Sequence, residues 1–261
     1  MNKIITITLC SVLSFPVFSS ESQRVIYQAG VTGATLTGAY EGSTTYEELK
    51  SHGNFGLGTS NGIQGEMVLI DHEMFITENG KGETMRPSMK TRTPFAIVTD
   101  FNPDTIFNVT KVSSKEKFVE LFQQRFNNDN LFQAIRIDGD FKAIQFRSIV
   151  KDADNSEKNL KKYIEKNQII NDLKDIKGSL VIFRSPKFAY PMTVPGYHIH
   201  FISSDRKSAG HVYDFNINSA QVSVQTISTF NINLPTNHEY IMHDVERVDN
   251  KVINHVESGI K

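Results

Sequence analysis

"VPGYHIHFISSDRKSAGHVYDF", residues 194–215, holds three of the chain's eight histidines and alternates like two β-arms around a polar reversal, "SSDRKSAG". On a strand, alternate side chains share a face. His198 and His200 therefore project together, while Tyr197, Ile199 and Phe201 project the other way into apolar packing, and His211 opens the returning arm. With the loop taken as residues 203–210, Ile202 faces His211 and His200 lies diagonal to it, about 7–8 Å away, within reach of imidazoles meeting on one ion. Three neutral imidazoles that leave a coordination position open form a known catalytic-zinc arrangement, and imidazole also serves other divalent metals. His198, His200 and His211 are thus candidate metal ligands. His52, His72, His238, His243 and His255 are scattered and read as surface or helix residues.

Outward from this hairpin, strands predominate. Residues 24–40 read as a strand and turn, residues 66–70 as a strand, "DHE" as a turn into the next, and "TPFAIVTDF" as another. "LFQAIRIDGDFKAIQFRSIV" reads as a hairpin about Asp138 and Gly139, since Asp-Gly is a strong two-residue turn signal. Helices are few. "STTYEELKSHG" carries a capping pair, Thr44 with Glu47, and "SSKEKFVELFQQRFNND" another, Ser113 with Glu116, before the apolar stripe of Phe118, Leu121 and Phe122. Residues 151–177 turn rich in Lys, Asp, Asn and Glu and read as a connector with a polar helix. "NHEYIMHDVERVDNKVINHVESG" reads as a C-terminal helix. Without regular βαβ alternation or an internal repeat, the expectation is an α+β (mixed α/β) protein. It would have two domains built on mixed β-sheets, residues 21–165 and 166–261, with the metal site on a β-hairpin of the second.

The chain is 261 residues long, 39% apolar and 22% charged, with a formal net charge of -1. That composition suits a soluble globular protein and supplies no basic field for nucleic acid. Residues 1–20, "MNKIITITLCSVLSFPVFSS", differ from the rest: Lys3, an apolar run from Ile4 to Phe18 broken by Pro16, then Ser19 and Ser20. The run is shorter than the ~20 residues a spanning helix needs and has the layout of a secretory signal peptide. Export to a periplasm or to the medium is expected, with no membrane partner after its removal. Cys10, the single cysteine, lies within it, so disulfides and thiol catalysis are excluded from the mature chain.

The 194–215 segment resembles the signature of the alpha-acetolactate decarboxylase family. In the family's order stand also "IYQAGVTGATLTGAYEGSTTYEELKSHGNFGLGTSNGIQGEMVLIDHEMF", "TPFAIVTDF", "LFQAIRIDGDFKAIQFRSI" and "GSLVIFRSP". The resemblance runs from about residue 25 to the C-terminus. It implies a zinc enzyme converting 2-acetolactate to acetoin and carbon dioxide, and a homodimer. It implies His198, His200 and His211 as zinc ligands, Glu66 of "QGEM" as a catalytic glutamate, Arg147 of "FRS" as the receiver of the substrate carboxylate, and Thr59 of "GTSNG" as an assisting hydroxyl. A second glutamate falls on Glu257 of "HVESG", with Glu246 of "DVERV" as the alternative. Ser60 stands where the family usually has phenylalanine and Gly62 where alanine is common, which bears on pocket size. Read without the resemblance, Glu66 and Arg147 are ordinary surface or ion-paired residues, and Thr59 bonds its own turn. The glycines at 53, 56, 58, 62 and 65 lack the lysine of a phosphate-binding loop. Two other classes remain open. A cupin-type metal dioxygenase would want a carboxylate ligand on the histidine strand, where only Asp205, in the turn, is near. A non-catalytic exported metal-binding or sugar-binding module would need no arginine or acid beside the metal.

Overall fold

The structure, a computed structural model, describes residues 24–77, 80–150, 157–245 and 256–257. The expected signal peptide and Glu246 lie outside them. In chain order the elements are β1 (Val25–Ala29), α1 (Thr32–Leu36), β2 (Thr44–Thr45), α2 (Tyr46–Ser51), β3 (Phe55–Thr59), β4 (Glu66–Ile70), β5 (Glu73–Thr77), β6 (Arg92–Thr93), β7 (Ala96–Thr99) and β8 (Thr105–Val112). There follow α3 (Lys115–Arg125), β9 (Phe132–Ile149), α4 (Leu160–Asn167), β10 (Gln168–Ser185), β11 (Gly196–Ser203), β12 (Ala209–Ile227), β13 (Thr229–Asn233) and α5 (His238–Ile241). The expected α+β class, strand-rich with few helices, is what the chain adopts.

Two sheets carry the molecule. One has the order β13-β1-β7-β3-β4-β5, the other β11-β10-β9-β12-β8 with β11 also paired to β12. They pack face to face through an apolar layer in which Ile26, Phe55, Leu57, Val68 and Ile97 of the first meet Val181, Phe183, Ile202 and Ile227 of the second. The outer face of the first sheet buries Met67, Leu69 and Val98 with Tyr46 and Leu49 of α2. The outer face of the second buries Ile137, Phe141, Phe201 and Phe215 with Phe118 and Phe122 of α3. Strands covered on both faces read as continuous apolar runs, as β4 (EMVLI) and β7 (AIVT) do. A further cluster at the sheets' margin joins Leu36 and Tyr40 to Phe95, Leu160, Tyr163, Ile164, Val194 and Val256, so α1 and α4 close off one part of the seam.

Several expectations are corrected. Asp138 and Gly139 make no turn: β9 is continuous, pairing with β10 on one side and β12 on the other. Gly139 is there for close approach, since a Cβ at that position would lie 2.3 Å from the Ser219 carbonyl oxygen. Residues 168–177 are strand, not connector, the half-exposed end of β10 running beside β9; solvent on that stretch explains its polar composition. The boundary expected near residue 165 therefore falls in α4, between two paired strands of one sheet, and β13 returns to pair with β1. Both caps sit one residue later than read: Thr45 accepts from Glu48 N and Ser114 from Lys117 N. At the C-terminal side α5 is a single turn, and residues 246–255 of the expected helix lie outside the description.

Candidate active site

The histidines stand on the face of β11 and β12 that looks across the seam. The reversal is tighter than the sequence suggests. Ser203 N donates to the Ser208 carbonyl at 2.8 Å, and Asp205 accepts from Ser203 Oγ at 2.7 Å and Lys207 N at 3.1 Å. Ile202 therefore pairs with Ala209, and His200 stands directly opposite His211 rather than diagonal to it. Direct cross-strand partners approach to about 4.5–5.5 Å at Cβ, so the correction brings the rings closer. On its other side His211 pairs with Arg147 of β9. Arg147, His211 and His200 thus form a row across one sheet. Facing it, Thr59 and Glu66 are paired on β3 and β4 of the other sheet.

The ring centroids of His198, His200 and His211 are 5.2–5.4 Å apart, and one ligand atom from each lies within 4.8 Å of the others. All three are buried. Burial, with Arg147 nearby, holds His198 down to about 3 and keeps His200 and His211 well below the usual imidazole range. They are neutral, the form that binds metal. His200 Nδ1 lies 2.9 Å from the Met67 carbonyl, so Nδ1–H donates there and Nε2 is left with its lone pair toward the site. That Nε2 is 3.5 Å from Glu66 Oε2. Glu257 Oε2 is 3.6 Å from His211 Nε2 and 3.8 Å from His198 Nε2. His198 Nδ1, His200 Nε2, His211 Nδ1 and Glu257 Oε2 are buried without a hydrogen-bond partner among the described residues. Each such orphan costs about 1–3 kcal/mol. One nitrogen from each of three imidazoles within 4.8 Å, with the Glu66 and Glu257 carboxylates beside them, fits a cation, and His198, His200 and His211 are the residues that could hold it.

Arg147 ties the rows together. Its Nε donates to Glu66 Oε1 at 3.0 Å, and its Nη1 to the Val256 carbonyl at 2.6 Å and to Tyr213 Oη at 3.3 Å. Tyr213 in turn donates to Gln168 Oε1 at 2.6 Å. The Glu66–Arg147 side chains are each only 6% exposed. Burial pushes the Glu66 carboxyl up to about 7 against the pull of Arg147, and burial pushes Glu257 up to about 7 likewise. Thr59 donates its hydroxyl to the Gly65 carbonyl at 2.7 Å, the local bond its turn invites, and keeps lone pairs for other donors.

A pocket opens here between the sheets. Its polar wall includes Thr59, Glu66, Arg147, His198, His200 and Glu257, and its apolar wall includes Leu36, Ile63, Phe95, Leu160, Ile164 and Val194. Ser60 and Gly62 are not in its lining. Gly62, at φ 76, supplies the left-handed turn there, a conformation that costs glycine little. Of the residues carried over by resemblance, Thr59, Glu66, Arg147, His198, His200 and Glu257 line this pocket, and His211 adjoins it, opposite His200 and 3.6 Å from Glu257. Sequence reading missed Tyr213, although it stands two residues after His211 and so on the same strand face. It also missed Gln168, Phe95 and the contributions of α1 and α4, which no local pattern announces.

The model of the alpha-acetolactate decarboxylase family matches residues 26–247. The chain belongs to that family. It is 30% identical over 240 residues to the alpha-acetolactate decarboxylase of Brevibacillus brevis, covering 92% of this chain and 83% of the relative. It is 33% identical over 227 residues to that of Raoultella terrigena, covering 85% and 84%. The crystal structure of alpha-acetolactate decarboxylase from Bacillus subtilis strain 168 superposes with a TM-score of 0.84 at 30% identity, covering 89% of this chain and 99% of that one. Membership in the alpha-acetolactate decarboxylase family makes the protein an enzyme of that class, and the pocket is its candidate active site.

Proposed function

We propose that the protein decarboxylates 2-acetolactate to acetoin in this pocket, with a zinc ion held by His198, His200 and His211. The observation that carries the reading is the meeting, at one buried point, of three neutral imidazoles bearing orphaned nitrogens with the Glu66–Arg147 pair. When bound, zinc supplies Lewis acidity toward the ketone and hydroxyl oxygens of the substrate.

The chain's own groups do the rest. Arg147 offers a planar guanidinium to the substrate carboxylate and is itself fixed by Glu66, Tyr213 and the Val256 carbonyl. The apolar wall of Leu36, Phe95, Leu160 and Val194 receives the methyl groups and excludes water. The bond between the carboxylate carbon and the carbinol carbon breaks, carbon dioxide leaves, and the electron pair passes into the ketone to give an enediolate. A proton then goes to the carbon that lost the carboxylate. Glu66 and Glu257 flank the histidines and can hold that proton, one carboxyl delivering it and solvent restoring it. Arg147 must orient the carboxylate without holding it more tightly than the transition state, since uniform binding does not accelerate the step.

A metal dioxygenase is disfavoured because Asp205, the carboxylate that follows His198 and His200 at the end of their strand, is spent on the turn bonds to Ser203 and Lys207. A non-catalytic binding module leaves the buried Glu66–Arg147 pair without a task. Purified protein incubated with 2-acetolactate tests the reading: acetoin and carbon dioxide formed in equal amounts support it, and no turnover by folded, zinc-loaded protein overturns it. Export, expected from residues 1–20, is tested by fractionation of the host cell, and the homodimer by sedimentation.

A further inference from the structure

We infer that Thr32, on the short helix α1, hydrogen-bonds an oxygen of the substrate and so sets its position in the pocket. The inference rests on the decarboxylase reading above. Thr32 lines the same pocket as Glu66, Arg147, His198 and His200, and it is only 5% exposed. Its hydroxyl oxygen is buried with no hydrogen-bond partner among the described residues. Of the side-chain atoms so orphaned, those that belong to the pocket lining are His198 Nδ1, His200 Nε2, Glu257 Oε2 and Thr32 Oγ1. Three of these four sit in the candidate metal and proton-transfer centre; the fourth shares their condition and their cavity.

Its neighbour on α1 sharpens the point. Thr35 also lines the pocket, but its hydroxyl donates to the Thr32 carbonyl at 2.8 Å, the local bond a helical threonine ordinarily makes. Thr32 does not use that option. Its main chain is occupied elsewhere, with its N–H donating to the Met192 carbonyl at 3.1 Å and Gly33 N to the Pro191 carbonyl at 2.9 Å. These two bonds dock α1 against residues 191–192, and Gly33 is needed there because a Cβ would come within 3.0 Å of Pro191 Cβ and 2.7 Å of a Val245 methyl carbon. The helix start is fixed by the backbone, and the Thr32 hydroxyl is left for a ligand. A hydroxyl that both donates and accepts suits a substrate carrying a carboxylate, a ketone and an alcohol on adjacent carbons.

The test is the kinetic comparison of Thr32→Val, which keeps the shape and removes the hydroxyl, with Thr32→Ser, which keeps the hydroxyl. The inference expects Thr32→Val to lower kcat/KM for 2-acetolactate about tenfold, as loss of one substrate hydrogen bond does, mostly through a raised KM. It expects Thr32→Ser to recover most of that loss. It also expects the melting temperature of ligand-free Thr32→Val to equal or exceed the parent's, because the substitution removes an unsatisfied buried hydroxyl. An unchanged kcat/KM in Thr32→Val overturns the inference, as does a lowered melting temperature with equal losses in both variants, the mark of a structural role. Parent enzyme assayed alongside separates the two levels: if it does not turn over 2-acetolactate, the decarboxylase reading fails, and if it does while Thr32→Val matches it, only the role of Thr32 fails.

Discussion

Two arginines of β9 reach across the seam to the β4–β5 hairpin, and they do so in different surroundings. Arg147 meets Glu66 at 3.0 Å with both side chains 6% exposed. Arg136 meets Asp71, in the turn between β4 and β5, with side chains 24% and 49% exposed, and Arg206 reaches the same aspartate at 3.2 Å. The pairing chemistry is alike and the strands are the same. At the rim, water screens the charges, and such a pair is worth about 0–1 kcal/mol. In the seam, removing two charges from water costs several kcal/mol per ion, so a buried pair is weak evidence for stability. A buried pair that lines a pocket beside three histidines has a different use under the proposed function: there the inner pair serves the chemistry, while the outer one clamps the sheets.

Substitutions at each pair put the contrast to the test. Glu66→Gln keeps size and a hydrogen-bond acceptor for Arg147 while abolishing the acid; turnover of 2-acetolactate should fall by roughly 10²–10⁴-fold, with metal content unchanged, and turnover at the parent's rate would move the proton transfer elsewhere. Arg147→Ala leaves Glu66 buried without its partner. Denaturant unfolding should show a loss of about 3–5 kcal/mol, and a loss no larger than that of a rim substitution would erase the distinction drawn between the pairs. Asp71→Asn should be the mildest, at most ~1 kcal/mol, with activity retained. Burial pushes Asp71 up, but the hydrogen bonds and charge of Arg136, with Arg206, more than reverse it and hold it below its ordinary 3.8. A carboxylate so depressed adds stability that is full above 3.8 and lost as pH falls through its folded-state value. The gap between parent and Asp71→Asn in acid unfolding should therefore close below pH 3.8; a gap that widens there would contradict the assignment.

Much of this was legible in the sequence where local rules suffice. Alternation placed His198 and His200 on one face, and the expected strand at residues 66–70 coincides with β4; the turn expected over "DHE" narrows to Asp71 and His72, at φ 52 and 62, with Glu73 already opening β5. Where a local rule competed with packing, packing won. Asp138-Gly139 has a turn's composition, yet its glycine lets β12 pass close. The cross-strand register of His200 and His211 depends on bonds centred on Asp205, which loop length alone does not reveal. The site's long-range joins, Arg147 beside His211 and Glu66 opposite both, arise from sheet packing between segments far apart in sequence. The family resemblance could name those residues, but only the fold shows that they touch. Thr32 carried no signal at all, because an orphaned hydroxyl exists only relative to a folded wall.

Under the proposed function, a metal held by His198, His200 and His211 makes the pocket a decarboxylase. Zinc titrated into chelator-stripped protein, with bound metal and acetoin formation measured on the same samples, tests it most directly. Activity should rise in proportion to bound zinc and saturate near one ion per chain, and His200→Ala should neither retain the ion nor regain turnover. Full activity in stripped protein, or activity that climbs with zinc in His200→Ala as it does in the parent, would contradict the account.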